Sequence, residues 1–356
     1  MANKTYFLGC PTPEGFETHF GDEINSGNFF TYIIKGGPGT GKSTLMKRIA
    51  AGLSELDPAE LYYCSSDPDS LDAILFRDIG VIFVDGTAPH VFEPVYPGAR
   101  ERLLDLGNFW NADALKNNAD EIVSLTDENK KLHLRAKRYL GAVCSLNADT
   151  AATGEAAMLD EKLDSFAKRL SQKLFPRVCR REGKISLRQI TSITPKGVMT
   201  QAGALDGCRR YVIGDPYFAV TDALLKNLST LAAAAGYDVV ASKNVFLPGC
   251  AYEHMVVPEL GLAFVSAETA NMDGAAKING LRFYDRDLLR ERRRRFLFNS
   301  SAKRELSLAA VEALAHAKNV HDDLEKLYIS AMDFEAIADL AEQIKEDIGA
   351  AFKGGE

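Results

Sequence analysis

At 356 residues the chain exceeds one typical domain and reads as two units, or three, at about 150 residues each. With 46% hydrophobic and 26% charged residues it has the composition of a globular protein able to bury large cores. Its net charge of -7 argues against nucleic acid as a general partner, because such binders carry a basic balance.

Cys10, Cys64, Cys144, Cys179, Cys208 and Cys250 are scattered, without a Cys-x-x-Cys pair or zinc spacing. Reduced thiols are therefore expected. Met1–Thr5 does not lead from a basic start into an apolar run, and no apolar run is long enough to cross a bilayer. A cytoplasmic protein with no membrane partner is expected.

Tyr32-Ile33-Ile34 is a short β-rich run that leads into a glycine-rich segment from Lys35 to Gly41. Beyond it Leu45, Met46, Ile49, Leu53 and Leu56 repeat at helical spacing over Ser43–Leu56. A second strand is expected over Glu60–Ser66, a helix over Ser70–Phe76, and a third strand over Val81–Val84, ending at Asp85. Apolar strands alternating with helices predict a parallel sheet covered on both faces by helices. From about Ala99 the pattern changes. Ala112–Phe175 predicts two or three long helices, with Gly154 in a turn and Pro176 as the stop.

The chain then repeats itself. Thr12-Pro13-Glu14-Gly15 recurs as Thr194-Pro195-Lys196-Gly197, a shift of 182 (194 minus 12). Tyr32-Ile33-Ile34 recurs as Tyr211-Val212-Ile213 and Leu45-Met46 as Leu224-Leu225, both at 179 (211 minus 32). Asp78-Ile79-Gly80-Val81 recurs as Glu259-Leu260-Gly261-Leu262 at 181 (259 minus 78). Near-constant shifts in one order point to an internal duplication. The expected fold is α/β: tandem P-loop NTPase-like three-layer α/β/α cores, each followed by a helical hairpin, with a degenerate second copy. The first domain spans 1–185, with its helical segment at about 100–180. The second spans 186–356, with its helical segment at about 285–352.

Gly36-x-x-x-x-Gly41-Lys42-Ser43 fits the phosphate-loop pattern, with a strand before it and a helix after. Composition alone yields such a match about once in a hundred chains of this length, so the added context makes it a strong signal. Gly36, Gly37, Pro38, Gly39, Thr40, Gly41, Lys42, Ser43 and Thr44 form the candidate nucleotide cradle. Its glycines let backbone N–H groups approach phosphates, and the following helix presents its positive end. Lys42 reaches the β and γ phosphates as a point charge, and the Ser43 hydroxyl suits magnesium. Asp85, at the end of an apolar strand, is the second candidate magnesium-side group. At the repeat shift of 179, Gly36–Met46 falls on Asp215–Leu225, where Lys42 becomes Thr221 and the added Asp215 and Asp222 would repel phosphate. At the shift of 181 shown by the Asp78–Val81 block, the Asp85 position falls on Ser266 (266 minus 85). One nucleotide site, in the first half, is therefore expected.

Thr12-Pro13-x-Gly15, Gly36–Thr44, Asp85-Gly86-Thr87-Ala88-Pro89-His90 with Pro97-Gly98, and Ala331-Met332-Asp333-Phe334 span nearly the whole chain. On these stretches the chain resembles a bacterial family of duplicated, tandem P-loop ATPases. The resemblance implies ATP binding and hydrolysis, with ATP and magnesium as cofactors. It also implies a loop in the second half, and here the chain departs from the pattern at Asp215–Asp222.

Gly86 follows Asp85, so the glutamate that many ATPases place there is absent. Candidates to act on water beside Lys42 are Asp67, with Asp69, after the second strand and His90 and Glu93 after the third; a helix-capping turn is a slightly better account of Asp67-Pro68-Asp69, and packing against Pro89 an equal account of His90. Arg292–Arg295 reads as a solvated helix paired with acids such as Glu291, and Trp110 with Phe109 as packing at the sheet–helix junction. An ATPase is the leading expectation. A small-molecule kinase closing the 112–175 helices as a lid, or a nucleotide-dependent binding module, are the alternatives. A protein or small-molecule partner is left open. ATP is expected over GTP, because the chain has no guanine-reading Asn-Lys-x-Asp stretch.

Overall fold

The computed structural model describes residues 3–89, 91–177, 181–247, 251–267 and 275–354. Its first half runs β1 (Thr5–Phe7), β2 (Gly9–Pro11), β3 (Phe16–Thr18), α1 (Gly21–Asn25), β4 (Phe30–Lys35), α2 (Lys42–Leu53) and β5 (Glu60–Tyr63). Then follow β6 (Leu71–Phe76), β7 (Val81–Asp85), β8 (Glu101–Asp105), α3 (Ala112–Asn117), α4 (Ala119–Ala157) and α5 (Asp160–Leu174). The second half runs β9 (Ile185–Leu187), β10 (Thr191–Thr194), β11 (Gly197–Thr200), β12 (Arg209–Gly214), α6 (Ala219–Ala234) and β13 (Val239–Lys243). It closes with β14 (Tyr252–Val257), β15 (Leu262–Ser266), β16 (Ala276–Asn279), α7 (Arg286–Glu291), α8 (Arg293–Ile329) and α9 (Phe334–Gly354).

The strands form two six-stranded sheets, β1-β5-β6-β7-β4-β8 and β9-β13-β14-β15-β12-β16. Strand for strand they share order and sense. β4 runs parallel to β7 and β8, as β12 does to β15 and β16. β6 is antiparallel to both neighbours, as is β14. Each half also carries a small hairpin, β2 with β3 and β10 with β11, turning at the two Thr-Pro-x-Gly segments.

Three expectations about the sheets are corrected here. Ser70–Phe76 is not a helix: Leu71–Phe76 is a strand with all six residues buried. A short apolar run buried on both faces has no period to separate strand from helix, and the preceding Asp-Pro-Asp-Ser imitates a helix start. β5 ends at Tyr63, short of Ser66, after a bulge between Tyr62 and Tyr63. The sheets are mixed rather than parallel, and helices do not cover both faces. Period-2 alternation sends Tyr32 and Ile34 toward α2, and Ile33, Ile82 and Val84 into one core with Val212, Ala263 and Val265 of the other sheet. The layers are thus helices, sheet, sheet, helices.

The helices also depart from expectation. α4, with 39 residues, spans about 58 Å and runs straight through Gly154, so no turn lies there. Its partner is α8 of the second half, not the next helix in the chain. The pair is antiparallel, since Asn129 bonds to Ala317 while Asn299 bonds to Thr150. Alanines 136, 310 and 313 let the two backbones approach. Past Met158 the chain crosses over. α5 packs on α6 of the second half, and α9 packs on α2 of the first. Bridges Trp110 to Met332 and Met158 to Tyr284 mark the two crossings. Their members differ by 174 (284 minus 110, and 332 minus 158), so the exchange is reciprocal about an approximate two-fold. No helix among the described residues is long and apolar enough to cross a membrane.

Candidate functional site

β4 lies between β7 and β8, so the turn leaving its carboxyl end opens at the middle of parallel strand ends. Gly39 at φ 67° and Gly41 at φ 87° hold the left-handed backbone that the turn requires. Thr40 Oγ1 closes the turn by donating to the Gly37 carbonyl at 2.8 Å. α2 starts at Lys42 with no side-chain cap, which leaves its first N–H groups for an anion. Lys42 Nζ folds back to donate to the carbonyls of Gly36 at 2.9 Å and Gly37 at 2.8 Å, and lies 3.6 Å from Asp85 Oδ2.

Asp85 ends β7 and is buried. Its Oδ1 accepts from the Thr87 N–H at 2.9 Å and the Thr87 hydroxyl at 2.6 Å, while Oδ2 faces Lys42. Ser43 Oγ accepts the Leu71 N–H at 2.9 Å, so β6 fixes the hydroxyl beside the loop. β6 also brings in Asp72, a residue hidden in the sequence by the helical reading of 70–76. Burial first, and the Asp85 charge second, push its pKa up to about 8, so Asp72 is held protonated at neutral pH. The loop, β6 and β7 thus bring together a lysine, a hydroxyl and two carboxyl groups.

The second half supplies a cover. A β-carbon built on Gly37 would stand 2.7 Å from the Tyr328 ring, and one on Gly39 2.8 Å from the Glu325 carbonyl oxygen. Phe334 lies beyond Gly41 in the same way, at 3.3 Å. The end of α8 and the start of α9 therefore press on the loop. His321 Nε2 lies 3.4 Å from Glu325 Oε1. That histidine first, with the Gly39 N–H as a further cause, holds the Glu325 carboxyl below its ordinary pKa. Lys318 Nζ, one turn earlier, is 3.7 Å from Asp67 and pairs with Asp322. Sequence reasoning missed this face of α8, because nothing local says which helix will lie over the loop. The one hint is that Ala331–Phe334, among the stretches carrying the family resemblance, forms the corner.

The remaining candidates fall as follows. Asp67 accepts the Ser70 hydroxyl at 2.8 Å and faces Lys318. Asp69 pairs with Lys196 of the second half at 2.7 Å. Glu93 is tied to Lys35 at 2.6 Å and is 68% exposed. His90 lies outside the described residues. Phe109 packs on the core beneath α2, and Trp110 stands 6.0 Å from the Tyr328 ring. Within the arginine run, Arg295 pairs with Asp149 of α4.

In the second half the corresponding turn holds its own carboxylate. Asp215 is buried and accepts from the N–H of Thr221 at 2.8 Å, the N–H of Tyr217 at 3.2 Å and the Tyr284 hydroxyl at 2.7 Å. Phe218, at φ 65°, repeats the backbone of Gly39, 179 positions earlier. α6 then begins at Ala219, whereas α2 waits until Lys42, so the second helix extends two residues further back into the turn.

Among the described residues no group of three or more His, Cys, Asp or Glu side chains could hold a metal ion alone. A P-loop metal relies on a hydroxyl, one carboxylate and the phosphates instead. No protein-family model, curated protein or solved structure matches this chain.

Proposed function

We propose that this chain binds ATP with magnesium at Gly36–Thr44 and hydrolyses it at that one site, in a cytoplasmic setting. The observation that carries the reading is the Lys42 ammonium 3.6 Å from the Asp85 carboxylate, across the ends of adjacent parallel strands, with the glycine turn and an uncapped helix between them. A lysine, a helix-opening serine and a strand-end aspartate in this relation match the P-loop arrangement.

Lys42 is placed to leave the loop carbonyls for phosphate oxygens. Ser43 and the Oδ2 of Asp85 are the side chains that would hold magnesium, and their chemistry fits it: a hydroxyl next to Lys42 at the start of α2 and a carboxylate oxygen 3.6 Å from the Lys42 ammonium are hard oxygen donors. Magnesium, when bound, supplies neutralisation of phosphate charge. Asp67 is favoured over Glu93 to orient water, since Glu93 is held by Lys35 and Asp67 is close enough to raise the Asp72 pKa. The kinase reading needs a lid free to close, whereas α4 is paired with α8, so the ATPase reading is preferred. The nucleotide-dependent binding module shares the same loop and differs only in turnover.

The like-ordered sheets support an internal duplication whose second copy has exchanged a phosphate seat for the Asp215 carboxylate. Because α8 and α9 press on the loop, nucleotide entry must displace the corner at Glu325–Phe334. This couples occupancy to the second half of the molecule.

The test is phosphate release from magnesium-ATP by wild type and Lys42→Ala, with calorimetric affinity on the same samples. Turnover in wild type that disappears in Lys42→Ala is expected. Binding that depends on Lys42 without turnover selects the binding module or a kinase lacking its acceptor. No binding of ATP or GTP by wild type ends the proposal.

A further inference from the structure

Beside the Asp215 turn the second half has an open cavity of about 460 Å³. Tyr217, Leu289 and Phe296 give it an apolar wall, with the Tyr217 and Phe296 rings 4.7 Å apart. Arg286, Arg290 and Arg293 line the same space. Arg290 is paired with Asp287 at 2.8 Å. Among the described residues neither Arg286 nor Arg293 has an acid within ion-pair distance, although both are exposed. Tyr217 belongs both to this wall and to the turn that Asp215 fills, so the cavity adjoins a backbone anion seat that is already taken.

We propose that this cavity is a second ligand site, for a small molecule that joins a phosphate to a flat apolar body. Its volume lies within the range of small-molecule pockets, roughly 300–1,000 Å³. Guanidinium groups are weakly hydrated and match phosphate oxygens in pairs, and two unpaired ones suit a dianion. The aromatic wall has no charge to satisfy and takes a planar ring. In this half the anion would be met by arginine side chains, since the backbone N–H groups of the turn are taken by Asp215. A single nucleic-acid strand is disfavoured. Asp285, Asp287 and Glu291 interrupt the basic run, and the chain's net charge of -7 offers no long-range attraction. The proposal is independent of whether the Gly36–Thr44 loop binds ATP.

The probe is 1-naphthyl phosphate, followed by its fluorescence with the full chain, in wild type, in Lys42→Ala, and in Arg286→Gln/Arg293→Gln. Binding is expected to be equal in wild type and Lys42→Ala and at least about tenfold weaker in the double variant, one charged hydrogen bond being worth about that factor. 1-Naphthol and inorganic phosphate should each bind more weakly than the ester. Because both arginines are exposed and unpaired, the double variant should keep its circular dichroism and melting temperature. Undiminished binding in the double variant overturns the proposal, as does loss in Lys42→Ala, which would put the probe in the phosphate loop. Displacement by a single-stranded oligonucleotide that binds more tightly than the ester would make the face a nucleic-acid surface instead.

Discussion

Asp72 carries a measurable signature of its surroundings. Its pKa rises from the ordinary 3.8 to about 8 through burial and the neighbouring Asp85 charge. The folded chain therefore holds a proton that the unfolded chain releases between about pH 4 and pH 8. In that window stability falls as pH rises, by up to about 1.4 kcal/mol per unit. Asp72→Asn, neutral at every pH, should lose this drain. Urea unfolding of both proteins from pH 5 to pH 8 checks it: the gap between them should move in favour of the asparagine variant as pH rises, and a constant gap would mean that Asp72 ionises normally in the fold. Asp215 is a second buried carboxyl raised by desolvation, but one that is met by hydrogen-bond donors. Two N–H groups and a tyrosine hydroxyl stabilise its charge. The same kind of turn that leaves helix donors open in one half is thereby filled from within in the other.

At the scale of elements, the decisive feature is the α8–α9 corner. A helix end laid on the Gly36–Thr44 loop brings the Glu325 carbonyl against Gly39 and the Glu325 carboxylate to the Gly39 N–H. On the proposed function, Glu325→Gln should tighten magnesium-ATP binding by roughly fivefold, about 1 kcal/mol for a partly exposed charge. Calorimetry decides this, and unchanged affinity would remove Glu325 from competition with phosphate. The partner crossing uses the inverse fit. A β-carbon on Gly154 would stand 2.8 Å from the Tyr217 β-carbon and 3.0 Å from its carbonyl oxygen, so here the helix supplies the gap and the backbone of the turn fills it.

At the scale of the whole molecule, neither half holds all of its own cover. α9 lays Ile337, Ala341, Ile344 and Ile348 on the first core, and α5 lays Leu163 and Ala167 on the second. The isoleucines alone represent about 2 kcal/mol each. Buried Arg188 of the second half pairs with Glu23 of the first, and the two sheets share one core. Fragments 1–185 and 186–356 expressed singly should therefore lack fixed tertiary structure, and co-expressed they should associate. Near-ultraviolet circular dichroism and size-exclusion chromatography would show it; a well-folded isolated 1–185 fragment would contradict the exchange. 

Much was legible locally. The strand–glycine turn–helix order around Lys42, the strand ending at Asp85, the Pro176 stop and the repeated Thr-Pro-x-Gly turns all depend on residues close in sequence, where periodicity and turn chemistry act directly. The strand at Leu71–Phe76 escaped because full burial erases its period, and Asp72 escaped with it. Gly154 was misread because a glycine kept for close packing has the same letter as one kept for a turn. The two mixed sheets packed face to face, the α4–α8 pairing, the exchanged helices and the cover over the phosphate loop were decided by tertiary structure alone. Each is a choice among apolar faces of similar character, and which face meets which is set by the free energy of burying all of them at once. The sequence by itself determined a phosphate-loop pattern with its lysine, hydroxyl and carboxylate, and its lack in the second half. Where that loop sits, and which distant helix closes over it, came from the fold.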